Sequence, residues 1–558
     1  MDRKSDDVAY ATYATDGVGQ IESEPKGEVL DRTASNQVGE MNLDSGHQLK
    51  RGLKSRHIQF LALGGAIGTG LFVGSGQILA TTGPAPLFMA YLSMMFVVWV
   101  IMNNLAEMVT YLPMKGISIP YFVGRFVEPS LAFADGWNYW YAYAMLTAAE
   151  CTAGAIILQY WTTAVPVAVW IAIQLIVILL LNIIAVSFFG EAEFWFASIK
   201  LISITGLIIL GIVLFFGGGP NHDPLYFKYW QEPGAFKPYL VGGDTGRFLA
   251  YWTAFARAGF SFVTSPELIA LSAGETVAPR RNIPKAARRF VWRLAVFYGL
   301  GSLVIGVVVP SDEKMLMSGD SNASASPFVL GISRAGIRGL NHVINAAVLT
   351  SAWSAGNAFC YSGSRVLYSM AINGQAPRWF GLTTRRGVPY VAVLFTMLIA
   401  CLAFLNVSNS GAQVFQWFTN ISTISGFIAW IVVMITYIRF RKAMEHHGML
   451  NALPYRTPLQ PYATYVVLFI IVLLTLTNGF QVFFPSQWSA SNFLAAYITI
   501  PIFLVLYFGH KLFYRTPFAT KIEDVDVWTG KKEMDDLSAA DDERVPRNTW
   551  EKIWFWLA

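Results

Sequence analysis

Charge is what this 558-residue chain has least of. Asp, Glu, Lys and Arg together make up 13% of its residues, about half the share of an ordinary soluble domain. So few charges cannot cover a water-soluble fold of this length. The 54% hydrophobic content and mean hydropathy of +0.45 point to a chain that crosses a membrane many times. Cysteine is also scarce. Cys151, Cys360 and Cys401 are an odd, widely spaced set in apolar segments, which excludes a disulfide framework and thiolate metal-ligand spacing. The net charge of +5 is small and the basic residues are localised, so nucleic acid is not an expected partner. About fifty polar residues precede the first apolar run, so no cleavable leader is expected and that run is expected to serve as the insertion signal. No repeated filter or charged ring of a channel is visible. Nor is a nucleophile paired with a base: of seven histidines only His342 and His510 border apolar runs, and neither has a local partner. An enzyme is therefore not expected, and no metal or cofactor.

What the chain has is apolar runs of membrane-crossing length. Twelve lie near 58–80, 86–110, 132–160, 166–187, 194–216, 249–272, 290–309, 339–371, 388–405, 412–437, 462–483 and 492–511, the third and eighth being the least uniform. The basic residues fall on alternate connections: Lys115 and Arg125; Arg280, Arg281, Lys285, Arg288 and Arg289; Arg378, Arg385 and Arg386; Arg439, Arg441 and Lys442. The short connections between them, around 81–85, 161–165, 406–411 and 484–491, carry no Lys or Arg. This is the positive-inside pattern, and it predicts both termini in the cytosol. The expected organisation is a cytosolic tail at 1–56, a twelve-helix domain at 57–515 and a second cytosolic tail at 516–558, all α-helical in the bilayer. Both tails read as solvated and mostly disordered. The stretches "DVDVWTGKKE" and "TWEKIWFWLA" are open to two readings, a loose tail or a short amphipathic helix on the inner membrane surface.

Polar and glycine residues inside these runs need reasons. "LALGGAIGTGLFVGSG", Leu61 to Gly76, carries six glycines in one apolar run, each weakening a helix by about 1 kcal/mol relative to alanine. Either they form a small-xxx-small packing face or the helix is broken there and its backbone groups are free for a ligand. In the sixth run Pro266 follows Ser261, Thr264 and Ser265, which reads as a kink or as a second break. Two interruptions five spans apart match transporters built from inverted repeats, whose sites lie between broken helices. Lys200 is expected about six residues, roughly 9 Å, inside the fifth run, where it either snorkels to the interface or acts in the mechanism. Glu150 lies past the middle of the third run, either functional or a helix–helix hydrogen bond. Glu107 reads chiefly as structural, and Arg257 as an outward anchor or a functional group.

The chain resembles the fungal amino-acid permeases of the amino acid–polyamine–organocation superfamily from about Gly52 to Gly530. "RGLKSRHIQFLALGGAIGTGLFVGSG", "RFVEPSLAFADGWNYWY" and "FSFVTSPELIALSAGE" carry the family likeness. "GGGPNHDPLYFKYWQEPGAF", "ASPFVLGISRAGI", "TSAWSAGNAF", "QWFTNISTISGF" and "AAYITIPIFLVLYFGHKL" bring it nearest the proline-permease branch. The resemblance implies a leucine-transporter-like fold of two inverted five-helix repeats plus two further helices, with the first and sixth helices unwound. It implies a plasma-membrane symporter that imports a neutral amino acid, most simply proline, with a proton and no cofactor. Another amino acid, or a sensor that binds with little transport, remains open. Backbone at Ala66, Ile67, Gly68, Thr69 and Gly70, and at Ser261 and Phe262, would then hold the substrate's carboxylate and amine. Side chains of Phe260, Phe262, Trp353 and Phe418 would wall the pocket, with Trp417, Glu107, Arg257 and Glu267 in structural or gating roles; each aromatic taken alone could equally face lipid or core. Lys200, with Glu150 as second candidate, would couple the proton. Thr264 and Ser265 stand where the family usually has glycine before the acid, and Ala106 where glycine is common, which leaves the exact break open. Ubiquitin attachment is open for the lysines of the first tail, Lys4, Lys26 and Lys50, and the sequence does not say which.

Overall fold

The computed structural model describes residues 68–112, 118–184, 186–267, 279–317 and 326–532, with isolated positions 535 and 548. Every one of the twelve apolar runs has a helical counterpart. The second to fifth are Pro84–Tyr111, Pro129–Leu158, Val167–Ile184 and Val186–Phe215. The sixth begins as Gly243–Ala258, and the seventh runs from Pro279–Leu294 through Ala295–Leu300 to Gly301–Val308. The eighth to eleventh are Leu340–Ile372, Tyr390–Ala400 continued by Cys401–Val407, Gly411–His446, and Tyr462–Thr477. The twelfth, Ala490–Tyr497 plus Thr499–Tyr514, is bent by 45°. Pro501 explains that bend, because its ring cannot donate to the carbonyl one turn back at Tyr497. Among the described residues seven unbroken helices are long and apolar enough to cross a bilayer, and the bent pair makes eight. The others miss that test because they are broken, short, or, like the eighth, rich in Ser and Asn.

Proline and serine set several starts. Pro84 and Pro129 open their helices, where a missing N–H costs nothing. Ser410 caps the tenth by accepting from the Gln413 amide at 3.3 Å. Gly83 turns the chain between the first and second spans at φ +91°, and a Cβ there would lie 2.9 Å from the Ala235 carbonyl oxygen.

The third span is the central post. Its apolar window is 89% buried, against 28% for the fourth and 33% for the fifth, and it packs along the eighth and tenth. Hydrocarbon gives apolar contacts little preference over lipid, so polar ties fix this centre. Asn138 Nδ2 donates to the Ser425 carbonyl at 2.9 Å while Ser425 Oγ donates back to Asn138 Oδ1 at 2.7 Å. Asn182 Nδ2 reaches Asn357 Oδ1 at 2.8 Å between fourth and eighth spans. Outward-facing Ile176, Leu180, Ile202, Phe469 and Val505 are exposed, as a lipid-facing rim requires.

Glu107, at the basic end of the second span, is fully engaged. Its Oε1 accepts from the Thr457 amide at 2.7 Å and hydroxyl at 2.5 Å, and its Oε2 from Tyr437 at 2.7 Å and Arg441 at 3.3 Å. Lys200, in the helix Val186–Phe215, is buried inside the bundle.

The described part of the second tail corrects the expectation of a loose or membrane-lying segment, while "TWEKIWFWLA" lies outside the described residues. Residues 516–532 pack on the basic end of the bundle, with Val525 and Val527 buried. Arg125 donates through Nε to the Asp526 carbonyl at 2.7 Å and through Nη2 to the Thr529 carbonyl at 2.9 Å, and its guanidinium pairs with the Asp526 carboxylate at 3.4 Å. Tyr111 donates to the Val527 carbonyl at 2.8 Å, and Arg280 pairs with Asp535 at 2.5 Å. Lys511 and Glu128 form a buried ion pair beneath this strap. Burial raises the carboxyl of Asp526, but hydrogen bonds from Thr529 and the charge of Arg125 outweigh it and hold the group below the usual range. Asp535 is held below it by the hydrogen bond from Lys531 and then by Arg280. Depressed carboxyls stabilise the docked strap at all pH above their unfolded value of about 3.9, and lose that contribution only as pH falls through the lower folded value. Docking is therefore expected to be constant from pH 5 to 8. Arg125→Gln should raise amide hydrogen exchange across 520–532 about tenfold at any pH in that window, as read by mass spectrometry on the purified chain; unchanged protection would refute the strap.

Candidate functional site between the broken first and sixth spans

The described part of the first span starts at Gly68, so Ala66 and Ile67 lie outside the described residues. Helix begins at Thr69 and runs as a wide five-residue turn, Gly70–Gly74, into Ser75–Thr82. The sixth span gives way at the same level. Gly243–Ala258 narrows to a tight turn at Gly259–Ser261, and the chain re-enters helix at Ser265. Thr264 sits between at φ +66°, a left-handed conformation that costs a β-branched residue about 1–3 kcal/mol. This is where glycine would be at ease. Pro266 falls in the first turn of the helix that restarts at Ser265, a position that tolerates it. It does not kink a continuous helix; the span is broken before it.

The two breaks touch. A Cβ on Gly70 would lie 2.6 Å from Ser261 Oγ and 2.7 Å from Ser261 Cα, so only glycine lets these backbones approach. Two tyrosines lace the contact. Tyr91 Oη bonds Ser261 Oγ at 3.0 Å and the Gly70 carbonyl at 3.3 Å, and Tyr298 Oη donates to the Ser261 carbonyl at 2.9 Å. Sequence reasoning missed both. The available signal was a hydroxyl-bearing ring inside the apolar runs "AYLSMMF" and "VFYGLG". Ser261 thus presents neither a free carbonyl nor an open face, and the Cβ side of Gly70 is closed to a substrate carboxylate.

Thr69 and Gly68 face the third span. Thr69 Oγ1 donates to Glu150 Oε1 at 2.9 Å, and a Cβ on Gly68 would sit 3.4 Å from the same oxygen. Glu150 Oε2 is buried and has no hydrogen-bond partner among the described residues. Lys200 is 1% exposed, too deep in the bundle for interfacial snorkelling, and lies within electrostatic reach of Glu150. The structure thus brings Thr69, Glu150 and Lys200 to one place.

A second acidic group lies toward the basic end. Tyr139 Oη donates to Glu267 Oε1 at 3.3 Å, while Glu267 Oε2 and both oxygens of the fully buried Asp135 have no hydrogen-bond partner among the described residues. Sequence reasoning missed Asp135, although a carboxylate in the apolar third run was signal enough.

The aromatic candidates separate. Phe260 meets Phe415 edge to face at 5.7 Å and lines a cavity on the side away from the basic loops. Phe415 was not foreseen; it sits one turn before Phe418. Phe262 is completely buried against Tyr298 at 4.4 Å and Tyr91 at 5.7 Å, so it packs the break and does not wall a pocket. Phe418 is buried in the tenth span. Trp417 turns away from the breaks and donates to Asn492 Oδ1 at 3.0 Å, tying the tenth span to the twelfth. Trp353 is half-buried, its indole N–H without a hydrogen-bond partner among the described residues. It lies within a turn of Ala355, the side chain nearest Gly68 after Glu150. Arg257 Nη1 donates to Thr81 Oγ1 at 3.1 Å, bridging the outer halves of the sixth and first spans.

Residues 57–523 match the amino acid permease family model. The chain belongs to the amino acid permease family. Among its relatives, this permease is 61% identical over 512 residues to a proline-specific permease of Emericella nidulans, covering 91% of this chain and 93% of the relative. It is 56% identical to a probable proline-specific permease of Schizosaccharomyces pombe (88% and 90% covered), and 51% identical to a proline-specific permease of Saccharomyces cerevisiae (90% and 82% covered). Permeases move their substrates across the membrane without transforming them, so this permease is not an enzyme.

The glycine geometry separates the break from a general packing face. Gly70→Ala should abolish uptake, because the methyl meets Ser261 backbone and not a movable side-chain tip. Gly74→Ala, whose methyl finds nothing nearer than 4.0 Å, should keep near-native uptake. Gly68→Ala should fall between. Radiolabelled uptake normalised to surface protein ranks the three, and equal activity of the Gly70 and Gly74 variants would sink this account.

Proposed function

We propose that this permease imports L-proline across the plasma membrane in symport with a proton, with both termini in the cytosol. The observation that carries the coupling is the cluster at the first break: Thr69 bonded to Glu150, whose second oxygen has no hydrogen-bond partner among the described residues, with the Lys200 side chain buried in electrostatic reach. A carboxyl and an amine taken out of water together can share a proton whose arrival or departure changes what the first span rests on. Thr69 is covalently part of the break, so protonation at Glu150 or Lys200 acts directly on the outer half-helix. The substrate is then held by backbone around Gly68 and Thr69, beneath Phe260 and beside Trp353. Support for proline comes from three relatives named for it at 51–61% identity. Support for orientation comes from the basic connections gathered at one end. Glu107, Glu267 and Trp417 act as structural or gating groups, and Lys4, Lys26 and Lys50 would take ubiquitin when the permease is withdrawn from the surface.

Because the proton is a co-substrate, uptake should rise as external pH falls and collapse with a protonophore, while replacing external sodium changes little. Lys200→Met should retain proline binding but lose concentrative uptake. Lys200→Arg should also fail, since a guanidinium stays charged at any accessible pH. These are measured by accumulation of labelled proline in yeast without its own proline uptake. A Lys200→Arg chain with native, pH-dependent accumulation would remove Lys200 from the mechanism and leave Glu150 to carry it.

A further inference from the structure

Above the breaks, on the side opposite the basic loops, two adjoining cavities of about 30 and 130 Å³ share Arg257, Gln416 and Asn420. The floor of the smaller is Gly74 with the Phe260–Phe415 pair, so it opens directly over the first and sixth breaks. Its walls, and those of the larger cavity, are mostly carboxamides and hydroxyls, Gln77, Asn478 and Gln481 among them; neither cavity is lined by an Asp or Glu. Arg257 therefore stands in a polar chamber with one hydrogen bond, to Thr81, and with no carboxylate in ion-pairing distance among the described residues. A half-buried cation in a span without a counter-ion is costly, and a guanidinium has four further N–H donors in a planar fork that matches a carboxylate. Two unpaired atoms extend the match. Asn478 Nδ2, a donor, and Gln481 Oε1, an acceptor, are buried without a hydrogen-bond partner among the described residues, and their side chains line the two cavities.

We propose that this chamber is an entry vestibule in which Arg257 and Asn478 receive the carboxylate of an incoming amino acid and Gln481 its ammonium, before the substrate passes Phe260. The vestibule also selects. A zwitterion or an anion enters a field of one sign focused by low-dielectric walls, while an amino acid with a cationic side chain brings net positive charge against an uncompensated guanidinium. This assignment rests on the reading of the chain as an importer of a neutral amino acid.

Uptake tests the role and thiol chemistry tests the site. Arg257→Gln should raise the KM for proline about tenfold with little change in maximal rate, and should let external lysine compete. Arg257→Lys should restore most of the affinity. Thr81→Val, which removes only the structural hydrogen bond, should leave KM unchanged. Independently of transport, Asn420→Cys can be labelled in a Cys401→Ser background, since Cys151 and Cys360 are buried. The anionic sulfonatoethyl methanethiosulfonate should react about fivefold faster, relative to the same thiol in free solution, than its trimethylammonium counterpart, and Arg257→Gln should erase that preference. Equal labelling by the two reagents in the Arg257 chain overturns the vestibule, whatever the chain transports. So does a native KM in Arg257→Gln, or a Thr81→Val chain that reproduces the loss. Native anion preference in a chain that takes up no proline would instead uphold the vestibule and refute the choice of substrate.

Discussion

The backbone contact between Gly70 and Ser261 is the constraint from which the site follows. A Cβ at position 70 would lie well inside van der Waals distance of Ser261, so the first and sixth spans meet backbone to backbone only because one of them has no side chain there. Backbones that close cannot both remain in regular helices. The sixth narrows, turns through Thr264 in a left-handed conformation and restarts, and Tyr91 and Tyr298 take up the polar groups the turn releases. Thr69 is thereby aimed at Glu150 on one side, and Phe260 at Phe415 on the other. Glu150 and the aromatic pair thus stand on opposite sides of a single contact.

Hydrocarbon makes every unpaired polar group expensive, and the chain treats its buried acids in two ways. Glu107 spends both oxygens on four donors from two segments, which fixes the ends of the second and tenth spans and leaves nothing to react. Glu150, Glu267 and Asp135 keep oxygens without hydrogen-bond partners among the described residues. Burial alone does not separate the two kinds, since Glu107 is as buried as Glu267. The completeness of the hydrogen bonding does, and it marks the acids that have capacity left for a proton or a substrate.

This explains what was legible in the sequence and what was not. Span number comes from apolar length, a local property, and the twelve runs could be read directly. Glycines in the first run and Pro266 in the sixth marked the breaks because both are unfavourable in a helix interior. That Pro266 opens a half-helix, and does not bend a whole one, depends on the backbone of Thr264, which composition does not encode. Aromatic roles were least legible. Phe260 and Phe262 are two residues apart in an irregular segment, so no helical period says which one faces the cavity and which packs against Tyr298. Tail docking was invisible for a related reason: the strap is held largely by arginine and tyrosine side chains on its carbonyl groups, and any sequence supplies carbonyls.

The two ends of the bundle are closed by different physics. At the basic end, Arg280 lies just beyond the inner half of the sixth span and bonds the Thr110 and Tyr111 carbonyls at 3.2 and 3.3 Å, together with Asp535. Arg125 and Tyr111 hold the same strap from the start of the third span and the end of the second. These are directional, charge-assisted contacts, and moving the start of the seventh span at Pro279–Leu294 away from the strap requires several to break together. At the opposite end the breaks are covered by the Phe260–Phe415 edge contact, with the two polar cavities above it. Such an aromatic contact is worth about 1 kcal/mol, and a rotation of either ring opens it. A carrier that must expose its site alternately needs one closure that yields to a small ligand and one that yields only when several contacts break together. The Phe260–Phe415 pair has the first character and the network of arginine, tyrosine and tail at the basic end has the second, with the Gly70–Ser261 contact between them.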